Sequence, residues 1–129
     1  MDLDTLAWKP VTPPQRKPLD ESKLGIVSFI NSHPSWVIEG CYTDLLELAA
    51  PFSTEIIYLN LLIETCIENA RNRPWEPHKY ESKEAQDRNL DMLVEWIAEY
   101  PRRDDTCSQA AHLSLYERYT GQKQMHTND

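Results

Sequence analysis

Nine prolines divide this 129-residue chain into pieces of at most 28 residues. Each proline fixes φ near about −65° and lacks a backbone donor, so a helix or an inner strand has to stop where one falls. Pro10, Pro13, Pro14 and Pro18 crowd residues 9–19, and residues 1–19 therefore read as an extended, Pro-rich N-terminal segment. Pro34, Pro51, Pro74 and Pro101 lie at or near the ends of runs of apolar residues. The elements must lie between these stops.

A helix is predicted from Asp20, where Leu24, Val27 and Ile30 recur at helical spacing and Ile26 and Phe29 widen the stripe. Gly25 inside it costs about 1 kcal/mol relative to Ala. Trp36, Val37 and Ile38 are consecutive apolar residues before Gly40, the pattern of an interior strand covered on both faces. Asp44 with Glu47 three positions on resembles a capping box for a short helix through Leu45, Leu46, Leu48 and Ala49. Residues 56–59 read as the next interior strand. A helix over residues 62–73 follows, with Ile63, Ile67 and Ala70 on one face. Residues 74–82 show no periodicity and read as a lid-like loop. Ser82 can cap the best helix of the chain, in which Leu90, Leu93, Val94, Ile97 and Tyr100 repeat at helical spacing. A last helix begins near Asp104, Asp105 and Thr106 with Cys107, Ala111 and Leu115 on one face, and residues 122–129 read as a polar tail.

Alternation of strand and helix implies an α/β fold with right-handed crossovers. The sheet would be small and parallel, of two to three strands, the third lying in residues 1–6. Residues 1–129 are expected to form a single domain that removes roughly two-thirds of its unfolded surface from water.

A net charge of −8 argues against binding nucleic acid or an anionic membrane. No apolar run reaches the length of a membrane span, and the N-terminus lacks the basic and apolar regions of a secretion signal, so a cytoplasmic protein is expected. Cys41, Cys66 and Cys107 are odd in number and widely spaced, which fits buried thiols in a reducing compartment. No metal-finger spacing is present. A Cys–His nucleophile would have to be assembled in space from Cys41 or Cys107 with His33, His78 or His112, without any local signature.

Residues 2–10, the strand and turn at 36–42, the strand at 56–60 and the Arg71-Asn72-Arg73 helix end resemble, in order and spacing, the P-loop kinase-like ATPases. These are adenylate- or shikimate-kinase-like proteins and DNA topology modulation proteins. The likeness extends over most of the chain and implies a three-layer domain. In that family the first strand, P-loop and first helix precede the segment resembling residues 3–10, and here Met1 stands at that point. The resemblance therefore implies an N-terminally truncated relative. A P-loop needs G-x-x-x-x-G-K-[S/T], and Gly25, Gly40 and Gly121 cannot form one. The family's missing first strand would lie between those resembling 36–39 and 56–60, leaving open backbone edges.

The resemblance also points to candidate ligand-binding residues. Asp4 resembles an acid that contacts the acceptor or a metal-bound water; its plainer reading is a solvated terminal residue. Glu39 resembles a Walker-B-like acid, and Gly40 allows close approach to a substrate or supplies a turn. Arg71 and Arg73 precede the segment resembling a kinase lid, where arginines stabilise a transferred phosphoryl group. Lys79, Lys83 and Arg88 are interleaved with Glu76, Glu81, Glu84 and Asp87, the pattern of a solvated, ion-paired face. No catalytic residue, metal or cofactor is expected. The expected function is that of a P-loop-less kinase relative, a non-catalytic binding or interaction protein acting as a homodimer or higher oligomer, with a small-molecule ligand as an option. The alternative is half of a split ATP-dependent small-molecule kinase, or an enzyme using the residual substrate pocket.

Overall fold

Short polar side chains and prolines set most of the element boundaries. In the computed structural model, which describes residues 1–11 and 14–128, the order is α1 (Asp4–Ala7), β1 (Trp8–Lys9), β2 (Gln15–Arg16), α2 (Leu19–Ser32), α3 (Thr43–Ala49), β3 (Glu55–Leu59), α4 (Ile63–Arg71), α5 (Lys83–Ala98), α6 (Gln109–Arg118) and β4 (Gln122–His126). A 3-10 turn at Ala50–Phe52 joins α3 to β3. The chain is thus an α/β fold with small two-stranded sheets and several helices: β1 pairs antiparallel with β2, and β3 pairs parallel with β4. Among the described residues no helix is long and apolar enough to cross a membrane.

The expected strand within residues 1–6 is reduced to one bridge, Asp2 with Glu39. Leu3 N–H donates to the Glu39 carbonyl at 2.9 Å and Glu39 N–H to that of Met1 at 2.9 Å. Asp2 then ends the ladder, because its Oδ1 accepts the Asp4 N–H at 2.9 Å and turns the chain into α1. The interior strand expected at 36–39 is corrected with it. With only this short partner beside it the segment stays extended but unladdered, and Val37 is 76% exposed. The Pro-rich connector is less irregular than expected. Trp8 pairs with Arg16 and Lys9 with Gln15, and the flanking prolines hold that ladder to two residues. Thr12 and Pro13 of this segment lie outside the described residues.

In α2 the buried face centres on Ser22 and Ile26, and Leu24 points outward, 73% exposed. Gly25 is what lets α1 approach: a Cβ there would stand 2.8 Å from Leu6 Cδ2. Ser22 Oγ donates to the Leu6 carbonyl at 2.9 Å, fixing the same contact. The capping box at Asp44 and Glu47 does not form. Tyr42 occupies the N-cap of α3, Asp44 pairs with Arg16 at 2.9 Å, and Glu47 pairs with Arg118 at 2.8 Å. Leu3, Ala7, Ile26, Tyr42, Leu45 and Ala49 form the buried apolar cluster, all of it within the first 49 residues.

The rest of the chain is packed differently. β3 is a strand as expected, but only one face is covered: Ile56 and Tyr58 are half-buried, whereas Ile57 and Leu59 are exposed. Its partner is the segment expected to be a polar tail. Gln122–His126 carries no apolar periodicity and is exposed throughout, because backbone hydrogen bonds to β3 recruit it rather than burial. Ser82 caps α5 by accepting the Ala85 N–H at 3.1 Å, as expected, and its apolar stripe is half-buried. The last helix starts later than Asp104–Thr106, at the Ser108 cap, whose Oγ accepts the Ala111 N–H at 3.1 Å.

Candidate functional site

The N-terminal ladder and the 74–82 loop bring Lys79 within reach of three carboxylates. Lys79 Nζ stands 3.0 Å from Asp4 Oδ2, 3.6 Å from Asp2 Oδ2 and 3.9 Å from Glu76 Oε1, and Arg73 Nη1 lies 4.0 Å from Glu76 Oε2. The Tyr42 hydroxyl donates to Asp4 Oδ1 and accepts the Trp8 indole N–H at 3.0 Å. Arg16 lies over the Tyr42 ring at 4.9 Å. Partial burial raises the Asp4 pKa, but the hydrogen bonds from Tyr42 and Lys79 and the nearby Lys79 and Arg73 charges outweigh it, leaving the carboxyl below 3.8. Burial lowers the Lys79 pKa, but its bond to Asp4 and the charges of Asp4, Asp2 and Glu76 hold it above 10.5. Burial and the Asp4 carboxylate together push the Tyr42 hydroxyl upward. A low carboxyl and a high ammonium are the signature of a closed ion pair.

The five residues singled out in the sequence fall around this cluster unevenly. Asp4 is at its centre and Arg73 at its rim. Glu39 and Gly40 adjoin it through backbone only, with Gly40 at φ 157° packed so closely that a Cβ would meet Leu3 Cβ at 2.8 Å. Arg71 shares with Arg73, Glu76, Tyr80 and Gln86 a depression of about 30 Å³. That is room for a water molecule and no more. Lys79 and Asp2 complete the cluster; the sequence placed Lys79 on a balanced face and gave no local signal for Asp2.

A wider hollow of about 420 Å³ lies elsewhere, between the end of α3 and the end of α6. Glu47, Ser53, Arg118 and Tyr119 line it, with the Ser53 and Tyr119 hydroxyls 2.7 Å apart. None of the five sequence candidates reaches it. Its walls come from segments about seventy positions apart, joined by the Arg118–Glu47 pair, so no sequence motif marks it.

The Cys–His nucleophile is not assembled at His112. Its Nε2 donates to the Cys41 carbonyl at 2.6 Å, and a carbonyl only accepts, so in the neutral ring Nδ1 must accept the Tyr100 hydroxyl, 2.6 Å away. The Tyr100 oxygen then accepts from Tyr58 at 2.5 Å. Burial lowers the His112 pKa below 6.5, which outweighs the bond to Cys41, and Arg103 adds to the lowering. Both ring nitrogens are committed to a structural relay. Among the described residues no group of three or more His, Cys, Asp or Glu is arranged to hold a metal ion.

In comparison with known proteins, the chain matches no protein-family model, no curated protein and no solved structure.

Proposed function

We propose that this chain is a non-catalytic binding or interaction protein that works as a homo-oligomer, a P-loop-less relative of the small-molecule and nucleotide kinases it resembles in sequence. The observation that carries the oligomer is the open apolar face of β3. The buried apolar cluster ends at Ala49, while Ile57, Leu59, Leu62, Met92 and Trp96 are between 41% and 67% exposed. A parallel pair such as β3–β4 is ordinarily covered on both faces, and here the Ile57–Leu59 face is open. The accessible surface is 8805 Å². A compact monomer of 15.1 kDa would expose about 7,100 Å². The excess exceeds the ~800 Å² that each partner contributes to a standard interface. A second copy laid on the open face of β3 would cover part of it.

The non-catalytic side of the reading is supported by the Asp4–Lys79 pair, which commits one of the two kinase-like acids to an internal cation. Light scattering at micromolar concentration is expected to give a mass of at least twice 15.1 kDa. Leu59→Asp should return it to the single-chain mass with the helical circular dichroism retained. A wild-type mass of one chain overturns the oligomer. Titration with Mg·ATP is expected to show no binding, and a sub-millimolar Kd would overturn the non-catalytic reading in favour of the split kinase.

A further inference from the structure

Cys41 and Cys107 are 66 positions apart in sequence, yet their sulfur atoms stand 3.5 Å apart. The approach is built by the backbone on either side. Thr43 N–H and Oγ1 both donate to the Thr106 carbonyl, at 2.9 and 2.7 Å, His112 donates to the Cys41 carbonyl, and Arg103 Nη2 donates to that of Cys107 at 2.8 Å. Three of these bonds join the two segments, and the Arg103 bond fixes the Cys107 carbonyl within its own turn. Both cysteines are free and half-buried. Bringing the sulfurs to the ~2.0 Å of a disulfide requires a closure of about 1.5 Å, within reach of side-chain rotation.

We propose that Cys41 and Cys107 are a reversible dithiol switch, oxidised by a hydroperoxide to an intramolecular disulfide that staples the start of α3 to the start of α6. The two sulfurs are not equivalent. Their mutual hydrogen bond and burial raise the Cys41 thiol, while the same bond, with Thr106 and the Arg103 charge, lowers that of Cys107 against the cost of burial. Cys107 is the nucleophile and Cys41 the resolving thiol.

The chemistry balances as follows. The Cys107 thiolate attacks the peroxide oxygen, an S–O bond forms, the O–O bond breaks, and the alkoxide leaves and is protonated to an alcohol (water, when the peroxide is hydrogen peroxide). Cys41 then attacks the sulfenic sulfur. The S–S bond forms, the S–O bond breaks, and the departing hydroxide combines with the Cys41 proton as water. Two sulfurs lose one electron each, and the hydroperoxide takes up both.

The test treats the full chain with hydrogen peroxide in slight excess, blocks remaining thiols with a maleimide, and measures intact mass and a non-reducing peptide map. The expected product is two hydrogen atoms lighter before labelling, carries one maleimide on Cys66, links the Cys41 and Cys107 peptides, and releases two further reactive thiols with dithiothreitol. Three labelled cysteines after treatment, a link through Cys66, or stable oxygen addition without a link would each overturn the proposal. Two variants test the order of attack without requiring a disulfide. Cys41→Ser should accumulate sulfenic acid on Cys107, trapped by dimedone. Cys107→Ser should react with peroxide about tenfold more slowly at Cys41, whose burial still disfavours the thiolate when Cys107 is gone. Equal rates at the two sulfurs would overturn the assignment of roles.

Discussion

Tyr100→Phe removes one oxygen and breaks the relay at its midpoint. The hydroxyl makes two short bonds, 2.5 Å to Tyr58 and 2.6 Å to His112 Nδ1. A net contribution of about 1 kcal/mol per bond gives roughly 2 kcal/mol, and the lone pair stranded on Nδ1 adds to this to the extent that water is kept out. With an unfolding entropy of about 2.1 cal/mol/K per residue over 129 residues, the loss corresponds to a fall in Tm of about 7 °C. The measurement is urea unfolding at fixed protein concentration for wild type, Tyr100→Phe, His112→Gln and the double variant. If the hydroxyl acts through His112, the two changes should be non-additive by about 1 kcal/mol. The pH axis supplies a second reading. Because the folded pKa of His112 lies below 6.5, the unfolded chain binds the proton more tightly, so this contribution is fully present above pH 6.5 and is lost as pH falls through the folded value. Tyr100→Phe deletes the donor that favours the neutral ring, so the slope below pH 6.5 should become shallower. Additive losses and an unchanged slope would refute the relay.

The two close-packed glycines should differ in their response to alanine. Gly40→Ala sets a Cβ 2.8 Å from the Cβ of fully buried Leu3, whose backbone is tied to Glu39, and is expected to cost about 1–3 kcal/mol in urea unfolding. Gly25→Ala meets only the movable methyls of Leu6 and gains about 1 kcal/mol of helix propensity, so it should lie within about 1 kcal/mol of wild type. Asp4 governs part of the acid limb: its folded pKa is below 3.8, so its contribution is complete above that pH and disappears as pH falls through the lower folded value. Asp4→Asn should flatten the fall in Tm on acidification, and an unchanged acid limb would show that the Lys79 pair contributes nothing.

Local chemistry was legible in the sequence and long-range geometry was not. Ser82, the prolines and the apolar spacing of Leu90, Val94 and Ile97 located α5, because a cap and a helical stripe are written within one turn or two of each other. Trp36, Val37 and Ile38 misled because β-propensity describes residues suited to a sheet, whereas a strand also requires a partner long enough to pair with. Gln122–His126 misled in the converse way: its partner exists, and no side-chain pattern announces a strand held by main-chain bonds. Asp4 was singled out by resemblance as a ligand acid, and no local feature marked it as half of an ion pair. Lys79, which neutralises it, came from a loop seventy-five positions away whose alternating charges signalled only a solvated face.

The manner in which the two parts of the chain are joined bears on how it must be stabilised. The first 49 residues hold the buried apolar cluster, and their links to the remainder are largely polar: Thr43 to Thr106, Cys41 to His112, Glu47 to Arg118 and Asp4 to Lys79. Such bonds orient segments well but return only about 1 kcal/mol each in net stability, and exposed ion pairs return less. β3, β4 and α5 carry no fully buried side chain and thus lack the burial that ordinarily offsets chain entropy. In the oligomer proposed above, their ordering would draw on the partner's surface. Folding of residues 50–128 is then linked by mass action to association, and Tm should rise with protein concentration. A Cys41–Cys107 disulfide would act at this junction, replacing a hydrogen-bonded seam by a covalent one and reducing the dependence of the C-terminal part on its partner.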